Sequence, residues 1–178
     1  MPLKIVKNKG ILFWITGLSG SGKTSIAKKI KKEIIKKYGP TIIVSGDNFR
    51  KIFKFNSYTS KDREKYLMNY LIFAKFITDQ NINLIFNLVG MYDRARKWNR
   101  KNIYNYLEIY IKTDIKKIIQ FNKKKIYKQK IKNIVGIDIK AEYPKTPHII
   151  INNNFTKSID FLSKELIKKI SKKIPTQK

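Results

Sequence analysis

The sequence predicts an α/β fold: a parallel five-stranded sheet with helices on both faces and a short basic lid. Three observations point there. Short apolar runs alternate with helical stretches along the chain. Each run is apolar throughout rather than at every second residue, as in strands covered on both faces. No repeat or linker divides the 178 residues, a length suited to one core.

Ile11 to Thr16 is the first strand, and it runs straight into a Gly/Ser-rich turn, Gly17 to Thr24. A helix from about Lys23 to Tyr38 follows, with Ile26, Ala27, Ile30, Ile34 and Ile35 at three- and four-residue spacing. Gly39-Pro40 stops it. Thr41 to Ser45 is the second strand, closing on Gly46-Asp47-Asn48, after which a polar and aromatic loop reaches Ser60. Lys61 to Gln80 reads as a helix with Leu67, Leu71, Ala74 and Ile77 on one face. Asn83 to Val89 is the third strand, Asp93 to Tyr106 a basic helix, Leu107 to Ile111 the fourth strand and Asp114 to Phe121 a short helix. The lysine-dominated stretch Asn122 to Lys132 lacks an apolar face and reads as a mobile, exposed segment, the core of a lid spanning about 122–135. His148 to Ile151 is the fifth strand, and Phe155 to Ile174 an amphipathic final helix.

Composition narrows the function classes. There is no cysteine, so disulfide scaffolds, thiolate metal sites and cysteine nucleophiles are excluded. His148 is the only histidine, which excludes a multi-histidine metal centre. No apolar run approaches the ~20 residues of a spanning helix, and a cytoplasmic protein with no membrane partner is expected. Forty Lys and Arg against 12 Asp and Glu give a net charge of +28. Such a charge suits a polyanion partner. Yet only five of the 40 cations are arginine, and the lysines are spread over the whole chain beside abundant Ile and Asn. That pattern fits an AT-rich genome, so nucleic acid is not the expected partner.

Gly17-Leu18-Ser19-Gly20-Ser21-Gly22-Lys23-Thr24 fits G-x-x-x-x-G-K-[ST] between a strand and a helix. Glycines let several backbone N–H groups turn inward, and the helix N-terminus adds positive potential. Lys23 would reach the β- and γ-phosphates, and the Thr24 hydroxyl would ligate Mg²⁺. A P-loop NTPase domain binding ATP or GTP with Mg²⁺ follows. The Asn/Thr-Lys-x-Asp guanine reader of GTPases does not occur, and the size suits a small-molecule kinase.

With Ser45-Gly46-Asp47-Asn48-Phe49-Arg50, this loop resembles the adenylylsulfate (APS) kinase family, which carries G-L-S-G-[SA]-G-K-[ST] and then D-G-D-N-x-R. The likeness continues through Asp62-Arg63, Tyr92, and Lys124 with Ile126-Tyr127-Lys128. It closes at Gly136-Ile137-Asp138, Glu142, Pro144 and Pro147. The resemblance implies a kinase that moves the γ-phosphoryl of ATP onto the ribose 3′-hydroxyl of a small-molecule nucleotide, by default adenylyl sulfate in sulfate assimilation. It implies Asp47 as the base, and as a second Mg²⁺ ligand beside Thr24. Arg50, Arg63 and Lys124 would grip the acceptor's anionic groups, and Tyr58 would take the place of a family phenylalanine. Asn48, Val89 and Ile134 complete the acceptor-side set, and a homodimer is an expected assembly.

The departures fall on the acceptor side. The family's E-N-x-R-R reads Lys65-Tyr66-Leu67-Met68-Asn69, its I-S-P-Y turn reads Val89-Gly90-Met91-Tyr92, and its G-F-T-G reads Asn133-Ile134-Val135-Gly136. The tyrosine after G-I-D is Ala141. Losing an aromatic face removes ~1–3 kcal/mol of base stacking by analogy with nucleic-acid platforms. A second reading therefore keeps the chemistry and changes the acceptor to a nucleotide such as cytidine diphosphoramidate, of capsule modification. A third, of another class, is a basic nucleic-acid-binding protein with a relic P-loop.

Overall fold

The computed structural model describes residues 2–121 and 132–175. Five parallel strands, β1 (Ile11–Thr16), β2 (Thr41–Ser45), β3 (Asn83–Asn87), β4 (Asn105–Lys112) and β5 (Ile149–Asn152), form one sheet in the order β2-β3-β1-β4-β5. β1 is central and wholly buried. Alternate residues of each strand point to opposite faces. Phe13 and Ile15 of β1 pack with Ile26, Ile30 and Ile34 of α1 (Lys23–Tyr38) and Leu162, Leu166 and Ile170 of α6 (Ile159–Lys173). Leu12 and Trp14 face Leu67, Tyr70 and Leu71 of α3 (Ser60–Asp79) and Ala95 of α4 (Asp93–Asn102). The two-faced α/β architecture is the expected one, and α5 (Ile115–Gln120) closes the C-terminal edge of the sheet through Ile118.

Several boundaries differ from the sequence reading, those between α4 and β4 among them. The helix expected to reach Tyr106 stops at Asn102, and β4 begins at Asn105 rather than Leu107, because Asn105 and Tyr106 pair in register with Ile11 and Leu12. Asn105 looks out of place in a buried strand. Its side chain, however, takes Val6 N–H at 2.8 Å and donates to the Val6 and Lys9 carbonyls, tying down the chain that leads into β1. Glu108 is also fully buried in β4, and Arg100 at 2.5 Å and Arg96 at 3.6 Å neutralise it from α4.

Another difference bears on the site. Within the expected loop after β2 lies a seven-residue helix, α2 (Gly46–Ile52). Ser45 caps it, its Oγ accepting from Asn48 N–H at 3.0 Å. Phe49, buried against Tyr70, Phe73 and Phe86, pins the helix to the sheet. Pinning one face of so short a helix places Asp47 and Arg50, three residues apart, together on another face.

Candidate active site

The C-terminal ends of parallel strands are where open α/β sheets bind ligands, and here two cavities meet at that edge. The first, about 490 Å³, is lined by Ser19, Gly20, Gly22, Lys23 and Thr24 of the loop, with Asn87 at the end of β3 and Asn153 after β5. The loop's shape depends on its glycines. Gly22 has φ 92°, and a Cβ there would stand 2.9 Å from Asn153 Nδ2. A Cβ on Gly17 would meet the Ile111 carbonyl at 2.6 Å. Asn153, itself buried, donates from Nδ2 to the Ser21 carbonyl at 2.9 Å and so locks the loop to the strand edge. Lys23 lies within the loop, its Nζ donating to the Leu18 carbonyl at 2.6 Å. Leu18 and Ser21 are buried beneath the loop as its support; Leu18 packs with Met91, Tyr110 and Val135. Thr24 opens to the cavity, and Asn87 Nδ2 donates to its Oγ1 at 2.9 Å.

The second cavity, about 380 Å³, is lined by Arg50, Tyr58, Arg63, Val89 and Ile134, together with Leu67, Tyr70, Tyr92, Lys132 and Asn133. Two guanidinium groups of this wall lie close to one ring. Arg50 lies 4.0 Å from the Tyr58 ring centroid and Arg63 lies 5.3 Å from it. Arg50 is buried and donates to the Ser57 carbonyl, while its Nε has no partner among the described residues. Arg63 donates from Nε to the Tyr58 carbonyl at 2.8 Å and from Nη2 to the Asn133 carbonyl at 3.2 Å. It therefore joins α3 to the segment carrying Ile134. Burial, with the like charge of Arg50, holds Arg63 below its ordinary pKa, although Tyr92 works against this. Burial likewise raises the Tyr70 hydroxyl against the pull of Arg50. A pocket that disfavours the charge of Arg63 in this way favours an anionic guest.

Asp47 lines both cavities, as do Ser19, Gly46, Leu88 and Val89. Among the described residues it is the one carboxylate in either wall. Asn48 lines neither cavity; its backbone serves the helix cap and its side chain is exposed. Lys124 lies outside the described residues.

Sequence reasoning missed several lining residues. Leu67 reads in the sequence as helix packing and Tyr70 carries no signal there, and only the partner strands and α2 reveal that they line the second cavity. Asn87 and Asn153 stand at or just beyond strand C-termini, the position that could have flagged them.

The chain matches the adenylylsulphate kinase family over residues 9–152. It belongs to that family, and it is a phosphotransferase. Among curated relatives, the cytidine diphosphoramidate kinase of Campylobacter jejuni is 33% identical over 168 residues, covering 90% of this chain and 99% of that protein. The adenylyl-sulfate kinase of Clostridium acetobutylicum is 33% identical over 156 residues, covering 83% of this chain and 77% of that protein. In fold, the chain superposes on the Mycobacterium tuberculosis APS kinase, solved with AMPPNP and APS, with a TM-score of 0.80 at 24% identity, covering 92% and 98% of the two chains. The basic-binder reading with a relic loop gives way to an enzyme. Among the described residues, no helix is long and apolar enough to cross a membrane.

Proposed function

We propose that this kinase transfers the γ-phosphoryl of ATP to the ribose 3′-hydroxyl of a nucleotide acceptor, with adenylyl sulfate as the leading acceptor. The observation that carries the reading is the position of Asp47, a lone carboxylate at the junction of a phosphate-loop cavity and a diarginine cavity. The loop N–H groups and Lys23 receive the triphosphate, and the N-terminus of α1 adds its positive end. Arg50, in the wall of the second cavity, meets the acceptor's phosphate or sulfate arm as a forked donor. Arg63 acts through the Asn133 carbonyl, setting the wall against which the acceptor rests. Asp47 takes the hydroxyl proton as the oxygen attacks. The rest of the acceleration comes from alignment and from cations facing the spreading charge.

The donor set fits Mg²⁺. Thr24 Oγ1 and the Asp47 carboxylate are oxygen donors on one cavity wall. One or two carboxylates with substrate phosphates is how this cation is usually held. When bound, it would neutralise the phosphate oxygens. ATP supply makes the cytoplasm the natural place of work.

The second reading, with cytidine diphosphoramidate as acceptor, is favoured by one observation. Ile134 is buried in the acceptor wall where an aromatic face would stack a purine. The test is product analysis. Purified protein is given ATP and Mg²⁺ with adenylyl sulfate or with cytidine diphosphoramidate, and the products are assigned by ³¹P NMR. A new 3′-phosphate on either nucleotide upholds the chemistry and chooses the acceptor. ADP formed equally with no acceptor, or a phosphate at another position, contradicts it.

A further inference from the structure

Asn87 ends β3 between Ser45 of β2 and Ile15 of β1 in register, and it lines the nucleotide cavity. It is only 2% exposed. A buried amide at a strand end ordinarily satisfies both of its polar atoms. This one satisfies half: Nδ2 donates to Thr24 Oγ1, and Oδ1 has no hydrogen-bond partner among the described residues. Leaving such an acceptor unmet costs about 1–3 kcal/mol, and Asn87 belongs to the wall of the nucleotide cavity. The other carboxamide at this edge, Asn153, offers a contrast. Its Nδ2 holds the Ser21 carbonyl and its Oδ1 accepts from Phe155 N–H at 3.1 Å. Asn153 is spent on structure, and Asn87 keeps an acceptor in reserve beside the hydroxyl expected to touch the cation.

We propose that Asn87 is a positioning residue for the metal half of the nucleotide site. Its amide nitrogen holds the Thr24 oxygen toward the cavity, and its carbonyl oxygen accepts a hydrogen bond from a water carried by Mg²⁺. P-loop enzymes generally hold the cation with the loop Ser/Thr and a carboxylate. Here Asp47 supplies the charge from α2, and Asn87 supplies orientation without charge from β3. Mg²⁺ gives up its waters reluctantly, so a neutral acceptor facing those waters is a chemically apt partner. The inference rests on the reading of this cavity as an ATP·Mg²⁺ site and is independent of which acceptor is used.

The test needs no turnover. Mn²⁺ is titrated, with detection by electron paramagnetic resonance, into the full chain saturated with a non-hydrolysable ATP analogue. Wild type, Asn87→Ala and Asn87→Asp are compared, and analogue affinity without metal is measured in EDTA. Asn87→Ala is expected to weaken Mn²⁺ binding about tenfold, as loss of an outer partner does, with metal-free analogue affinity within twofold of wild type. Asn87→Asp is expected to bind Mn²⁺ at least as tightly as wild type, because a carboxylate can accept the Thr24 hydroxyl proton and still face the water. A loss below threefold in Asn87→Ala overturns the proposal. So does a loss in Asn87→Asp, which serves alone if the alanine variant does not fold. Wild type that binds the analogue but no Mn²⁺ overturns the underlying reading of the cavity, and this proposal with it.

Discussion

The nucleotide cavity is built around one turn, Ser19 to Thr24 at the start of α1, whose shape rests on its glycine conformations, with Asn87 and Asn153 from the strand ends beside it. Across Asp47, the acceptor cavity is walled by side chains, with Arg50, Tyr58 and Arg63 on one part and Leu67, Tyr70 and Ile134 on another. A main-chain cradle offers N–H groups whatever the residue, so it binds a triphosphate with little dependence on side-chain identity. A side-chain wall changes its guest with every substitution. This contrast explains how departures from the family pattern at Gly90 and Ile134, both in the wall of the second cavity, leave the phosphate loop intact while changing the proposed acceptor pocket.

The largest expected effect is on the shared chemistry. Lys23→Ala should lower kcat by about 10³-fold on every acceptor tried, the scale of losing one preorganised donor at the transferring group. A loss confined to one acceptor in steady-state assays would break the division between the two cavities. Arg50→Ala should act on the other side. It should raise the acceptor KM by about 10–100-fold, as removing a charged hydrogen bond does, with the ATP KM within twofold of wild type. Equal rises in both constants would show that Arg50 supports α2 rather than the acceptor.

Ile134→Phe sharpens the comparison. Restoring an aromatic face should shift the ratio of kcat/KM for adenylyl sulfate over cytidine diphosphoramidate upward by about five- to 150-fold, from ~1–3 kcal/mol of stacking. An unchanged ratio would mean that Ile134 does not meet the base.

A smaller effect concerns stability rather than activity. His148 Nδ1 accepts the Glu108 N–H at 2.8 Å, which requires a neutral ring. Burial, then Arg100 and Lys173, lower its pKa from 6.5. A depressed value means that this contribution is fully present above pH 6.5 and is lost as pH falls through the folded value. His148→Asn should flatten the fall in Tm below pH 6.5 by an amount equivalent to less than about 1 kcal/mol. An unaltered slope would exclude His148 as its source.

Much of this was legible in one sequence because the signals were local. The strand–loop–helix frame of Gly17 to Thr24 and the apolar runs of the strands need no partner to be recognised. The Gly46-Asp47 pair could be placed because it follows a strand directly. Features that depended on tertiary partners were hidden. The helix at Gly46–Ile52 has only seven residues, and Phe49 stabilises it by packing on α3 and β3, which no short-range pattern records. Asn105 masked the start of β4 because its polarity is answered by Val6 and Lys9, distant in sequence. Arg63 donates to the Tyr58 and Asn133 carbonyls, contacts that no short-range pattern records.

The measurement that tests the central claim most directly is the effect of Asp47→Asn, because Asp47 is where the two cavities meet. Single-turnover transfer should fall by about 10²–10⁴-fold, the usual contribution of a positioned base, with calorimetric affinities for the ATP analogue and the acceptor each kept within about threefold. Full transfer by Asp47→Asn would contradict the account, since the hydroxyl proton would then leave by another route.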